Sequence, residues 1–127
     1  MECVRRLDLP HDPQGVGIAR LFVRKCCREW GLEDPDGTMP LVVSELVTNA
    51  LLHAQGPVTL FVAHRPSSVV LSVRDGSDLT TRPRRAAQLD TSGRGLELVA
   101  ALADDWGEQQ LEDGKRVWAE VASVSPS

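Results

Sequence analysis

Three polar side chains interrupt an apolar segment near the middle of the chain. They are Glu45, Asn49 and His53, in the run SELVTNALLH, spaced i, i+4 and i+8. In a helix this spacing confines all three to about 80° of arc on one face. Their neighbours Leu46, Val47, Ala50 and Leu51 are apolar. A carboxylate so placed can accept a proton, and a carboxamide oxygen is a hard ligand suited to Mg²⁺. A solvated face of an amphipathic helix would carry the same spacing, so both readings stand at this point. Asp75 follows a β-rich run and precedes Gly76-Ser77. It can cap a turn, or accept a hydrogen bond from an exocyclic amine such as adenine's. Gly93-Arg94-Gly95-Leu96 is the third candidate. Glycines let a backbone approach an anion, and the free N–H groups of a helix start favour phosphate. A lone Gly-x-Gly is also a common tight turn. Neither a Walker A loop nor the third glycine of a dinucleotide fingerprint is present.

The elements that must position these groups can be read from periodicity. Val4 to Leu9 alternates weakly and stops at Pro10, as a short edge strand does. Asp12-Pro13 opens a helix whose apolar positions are Val16, Ala19, Val23, Cys26/Cys27 and Trp30, closed by Gly31. Its outer face bears Arg20, Arg24 and Arg28. Pro40 opens a second helix running to about Ala54, the one carrying Glu45, Asn49 and His53. Val58 to His64 and Val69 to Arg74 form a hairpin across Pro66-Ser67-Ser68. Residues 75–92 lack periodicity and form a long loop. Gly95 to Asp105 is a third helix, and Gln109 to Leu111 with Lys115 to Val121 is a closing hairpin turned at Asp113-Gly114. The order β-α-α-β-β-loop-α-β-β predicts an α+β two-layer sandwich, with a mixed, mostly antiparallel sheet and three helices on one face.

Size and composition exclude several classes. With 127 residues, 42% of them hydrophobic, the chain suits a single domain with one core. The apolar runs are far shorter than the roughly 20 residues a bilayer span needs, and no signal-peptide pattern opens the chain, so no membrane association is expected. A net charge of −4 argues against direct nucleic-acid binding. Cys3, Cys26 and Cys27 are odd in number and lack metal-ligand spacing, which suits a reducing cytoplasm. The three tryptophans, Trp30, Trp106 and Trp118, read as core or rim packing.

Taken in order, the amide-bearing helix, the strand-end Asp, the long loop and the Gly-rich helix start resemble the GHKL superfamily of ATP-binding domains with its Bergerat fold. Glu45-Leu-Val-Thr-Asn49-Ala-Leu-Leu-His53 looks like the N box, Asp75-Gly-Ser77 like a reduced G1 box, and Gly93-Arg-Gly-Leu96 like the G2 box. The resemblance runs from about Leu7 to Val121, one histidine-kinase-like ATPase domain over residues 1–127 with a lid at 78–92 and a flexible tail at 123–127. Within the superfamily, SELVTNALLHA, VRDGS, GRGLELVAALADDWG and DGKRVWAEV are similar to the small bacterial anti-sigma-factor serine kinases.

That resemblance implies roles for individual residues. Asn49 would hold Mg²⁺ through its side-chain oxygen, and Glu45 would take the proton from an attacking serine. Asp75 would bind the adenine amine, with Ser77 beside it in the G1 box. Gly93, Arg94, Gly95 and Leu96 would face the phosphates, with His53 near the nucleotide. ATP and Mg²⁺ are the implied cofactors. The implied partners are a sigma factor, a STAS-domain anti-anti-sigma factor phosphorylated on serine, and a second copy of the chain. The sequence departs from the family pattern where Ser77 and Leu79 stand at the two glycine positions of DxGxG. That departure motivates an alternative, a regulator that sequesters a partner without phosphotransfer.

Overall fold

The computed structural model describes residues 3–34, 36–53, 56–76 and 96–123, without the side chain of His53. Strand β1 (Cys3–Leu9) is followed by helices α1 (Gln14–Glu29) and α2 (Thr38–His53). Strands β2 (Val58–His64), β3 (Ser68–Asp75), β4 (Asp105–Leu111) and β5 (Gly114–Ala122) complete the sheet. A helical run at 96–102 precedes β4. The sheet order is β1-β2-β3-β5-β4. Every described pairing is antiparallel, so the expected mixed sheet is corrected to a wholly antiparallel one among these residues.

Alternation decides which face is covered. Leu60, Val62, Val69, Leu71, Val73, Val117, Ala119 and Val121 are buried, and the register places them on one face. Both helices pack on that face, and Leu96 and Val99 of the third helical run join the same core. The opposite face carries Arg6, Phe61, Ser72, Trp118 and Gly107 in one row across the five strands. The result is a two-layer α+β sandwich, as the sequence led us to expect.

Local chemistry sets the helix ends. The Asp12 carboxylate accepts the Gln14 N–H at 2.6 Å, which starts α1. Gly31 ends it at φ 69°, while the Leu32 N–H reaches the Cys27 carbonyl at 2.8 Å. Helix α2 begins at Thr38, two residues before the expected Pro40. The cause is Asp34, whose two carboxylate oxygens accept the N–H groups of Thr38 and Met39 at 3.1 Å each.

Two further boundaries differ from expectation. The third helix does not reach Asp105, which starts β4. The Asp104 N–H bonds to the Glu120 carbonyl at 2.8 Å, and its carboxylate accepts the Ala122 N–H at 2.6 Å, so pairing with β5 outcompetes another helical turn. The closing hairpin turns at Glu112-Asp113, not Asp113-Gly114, because Gly114 already pairs with Leu111.

Candidate functional site

Helix α2 is apolar around most of its circumference because it is buried on two sides, against α1 and against the sheet. Two polar side chains are buried along it, and they are treated differently. Ser44 donates its hydroxyl to the Pro40 carbonyl at 2.7 Å, so its own helix satisfies it. Asn49 is only 4% exposed, and its Oδ1 has no hydrogen-bond partner among the described residues. Burying an amide oxygen without a partner costs on the order of 1–3 kcal/mol, so an orphan of this kind calls for a ligand. A divalent cation is the natural one for a carboxamide oxygen.

Glu45 lies one turn earlier and is half-buried, with its Cβ about 5–6 Å from that of Asn49. Exposed Leu41 and Leu52 flank it on the open face of α2. This arrangement puts a carboxylate that could accept a proton one turn from an amide that could hold a cation. His53 ends α2.

Asp75 is the last residue of β3 and is 3% exposed. It faces the covered side of the sheet, opposite Val58 on β2 and Lys115 on β5. The end of α2 reaches it through the backbone. An ideal Cβ on Gly56, just past the helix, would lie 3.1 Å from the Gly76 carbonyl oxygen, so the two segments touch. The last turns of α2 and the end of β3 therefore form one corner of the molecule. Leu96 is the first described residue of the helical run 96–102, and its side chain lies in the core. Ser77, Gly93, Arg94, Gly95 and the expected lid at 78–92 lie outside the described residues, as does most of the expected tail, past Ser123.

Two residues of the closing hairpin also stand at this corner. Gly114, expected in the turn, has an ideal Cβ that would lie 1.9 Å from the Asp75 carbonyl oxygen. Lys115, within the expected strand, is placed by register across from Asp75. Neither Asn49 nor Asp75 lines the roughly 440 Å³ cavity between α1 and the start of α2. Its walls include Arg24, Arg28, Glu33 and Pro40, at the opposite end of α2 from His53.

An antiparallel sheet covered on one face by two long helices thus carries a buried amide on α2 and a buried carboxylate at the end of β3. The family comparison gives the class its name: residues 9–121 match the model of the histidine kinase-like ATPase domain, and the chain belongs to that family. A search of curated proteins finds no match. No described helix is long and apolar enough to cross a membrane.

Proposed function

We propose that this chain is an ATP-dependent serine kinase that also acts as an anti-sigma factor, phosphorylating a STAS-domain antagonist and withholding a sigma factor from transcription. The observation that carries the nucleotide part is the orphaned Oδ1 of buried Asn49, one turn from Glu45. In this reading Asn49 holds Mg²⁺, which would neutralise charge on the ATP phosphates and orient them. Asp75 accepts from the adenine amine. Glu45 takes the proton of the attacking serine as its oxygen bonds to the γ-phosphorus, and the bond from that phosphorus to the bridging oxygen of ADP breaks. Exposed Leu41 and Leu52 give the substrate an apolar footing on either side of Glu45.

The partner surface is the outer face of α1. Arg20, Arg24, Lys25 and Arg28 stand there against a single acid, Glu29, in a chain of net charge −4. Such a patch favours an acidic region of a protein partner. The bare outer face of the sheet, with exposed Val4 and partly exposed Phe61, Ala63 and Trp118, suits a second copy of the chain. The reading places the protein in the cytoplasm. The alternative, sequestration without phosphotransfer, is favoured by Ser77 and Leu79 at the G1 glycine positions.

Calorimetric titration with ATP, with and without Mg²⁺, tests the site. Mg²⁺-dependent binding that is lost in Asn49→Ala supports it, and a Glu45→Gln variant that binds ATP without phosphorylating a STAS protein supports the kinase. Silence up to millimolar ATP would defeat the nucleotide reading.

A further inference from the structure

Lys115 is the direct cross-strand neighbour of Asp75 between β3 and β5. Val117 and Ala119, two and four residues further along, are buried in the core, so Lys115 shares the covered face with Asp75. Directly opposed Cβ atoms are about 4.5–5.5 Å apart, well within reach of a lysine stem. Lys115 is half-buried and makes no hydrogen bond or ion pair among the described residues. Gln110, its neighbour on β4, donates its Nε2 to the Gly114 carbonyl at 2.9 Å.

A free ammonium beside a buried carboxylate changes what the corner can read. A carboxylate alone accepts from the 6-amine of adenine and repels the 6-carbonyl of a 6-oxopurine. Discrimination of that kind is strong, because the wrong base leaves a buried polar group unpaired. Adding one mobile donor removes it. With adenine, Asp75 accepts from the amine and the Lys115 ammonium donates to N1. With a 6-oxopurine the two exchange partners: Lys115 donates to O6 and Asp75 accepts from N1–H. The two base atoms are neighbours, and a flexible four-carbon stem with three rotatable N–H donors can serve either.

We propose that Lys115 reads the base together with Asp75, and that the site therefore accepts 6-oxopurine nucleotides such as inosine and guanosine triphosphates as well as ATP. This rests on the nucleotide reading above and adds the specificity of that same site.

The test is calorimetric titration of the full chain with ATP and with inosine triphosphate, each with Mg²⁺, in wild type, Lys115→Met and Lys115→Gln. Wild type should bind inosine triphosphate within about tenfold of ATP, and Lys115→Met should weaken inosine triphosphate by about tenfold more than it weakens ATP. Lys115→Gln, which keeps a neutral donor, should recover part of that loss. ATP binding with inosine triphosphate undetectable would overturn the role of Lys115 and leave the nucleotide site standing. An unchanged ratio of the two affinities in Lys115→Met would do the same. No binding of either nucleotide to a chain with a folded circular-dichroism spectrum would overturn the nucleotide reading, and this inference with it.

Discussion

Gly114 lies directly beneath Asp75: a Cβ on the glycine would come 1.9 Å from the Asp75 carbonyl oxygen and 3.1 Å from the Gly76 Cα. The first residue of β5 is thus held against the end of β3 by the absence of a side chain. The close approach fixes the height of Asp75 at the corner where α2 ends. Because the clash would be with backbone, no side-chain rotation relieves it. Gly114→Ala should therefore cost about 2–3 kcal/mol, measured by urea unfolding, and weaken nucleotide binding more than a distant change of equal cost. Gly107→Ala is the contrast, since the atoms nearest its Cβ belong to the Trp118 side chain, at 3.1 Å, and not to backbone. Its cost should be smaller.

Asn49 gives a prediction of opposite sign. Its Oδ1 is desolvated without a partner among the described residues, so the folded state bears a cost that an apolar residue of similar volume would not. We expect Asn49→Leu to stabilise the chain by about 1 kcal/mol while abolishing Mg²⁺-dependent nucleotide binding. Paired denaturation and calorimetry measure both effects. A destabilised Asn49→Leu would mean that the amide supports the fold rather than a ligand.

The thiols should separate by burial. Cys3 is exposed, whereas Cys26 and Cys27 are buried. Burial raises the Cys26 pKa and pushes that of Cys27, whose Sγ lies 3.4 Å from the Met39 sulfur, up to about 11. At pH 8, DTNB should label one thiol in the folded chain and all three in urea. Because the Cys27 pKa is raised on folding, stability should hold below pH 9 and decline as pH climbs towards 11, where the unfolded thiol ionises first.

On the acid side, Glu29 of α1 pairs with Arg5 of β1, whose guanidinium also lies 5.1 Å from the Trp30 ring. The hydrogen bond from Arg5 holds the Glu29 carboxyl below its ordinary 4.5. A depressed carboxylate contributes stability above its unfolded value and loses it as pH falls through the folded one. Unfolding of Glu29→Gln should accordingly be less pH-dependent than wild type below about pH 4.5: wild type keeps a small advantage at pH 7, as an exposed pair allows, and the two proteins converge in acid. A parallel pH dependence in the two proteins would remove Glu29 from the acid transition.

Much of the sandwich was legible without coordinates. Apolar alternation marks Val58 to His64 as a strand with no boundary error, because hydrophobic period and strand period coincide there. The 3.6-residue period of α1 and its Gly31 stop were equally plain. Errors fell where a tertiary bond outbid local propensity. Asp34 pulled the start of α2 forward, and β5 drew Asp104 and Asp105 away from the helix before them.

What the sequence determined by itself were quantities set along the chain: the one-turn spacing of Glu45 and Asn49, the apolar stripe beside them, the strand end at Asp75, and the charge of α1. Each depends only on a fixed repeat of 3.6 or 2 residues. Pairing and burial were left to the tertiary structure. It took strand register to set Lys115 and Gly114 against Asp75 across 40 and 39 residues of chain, and helix packing to bury Asn49 with no partner among the described residues. Register is a choice among strand alignments that local periodicity does not distinguish, and an orphaned oxygen exists only once neighbours have closed around it.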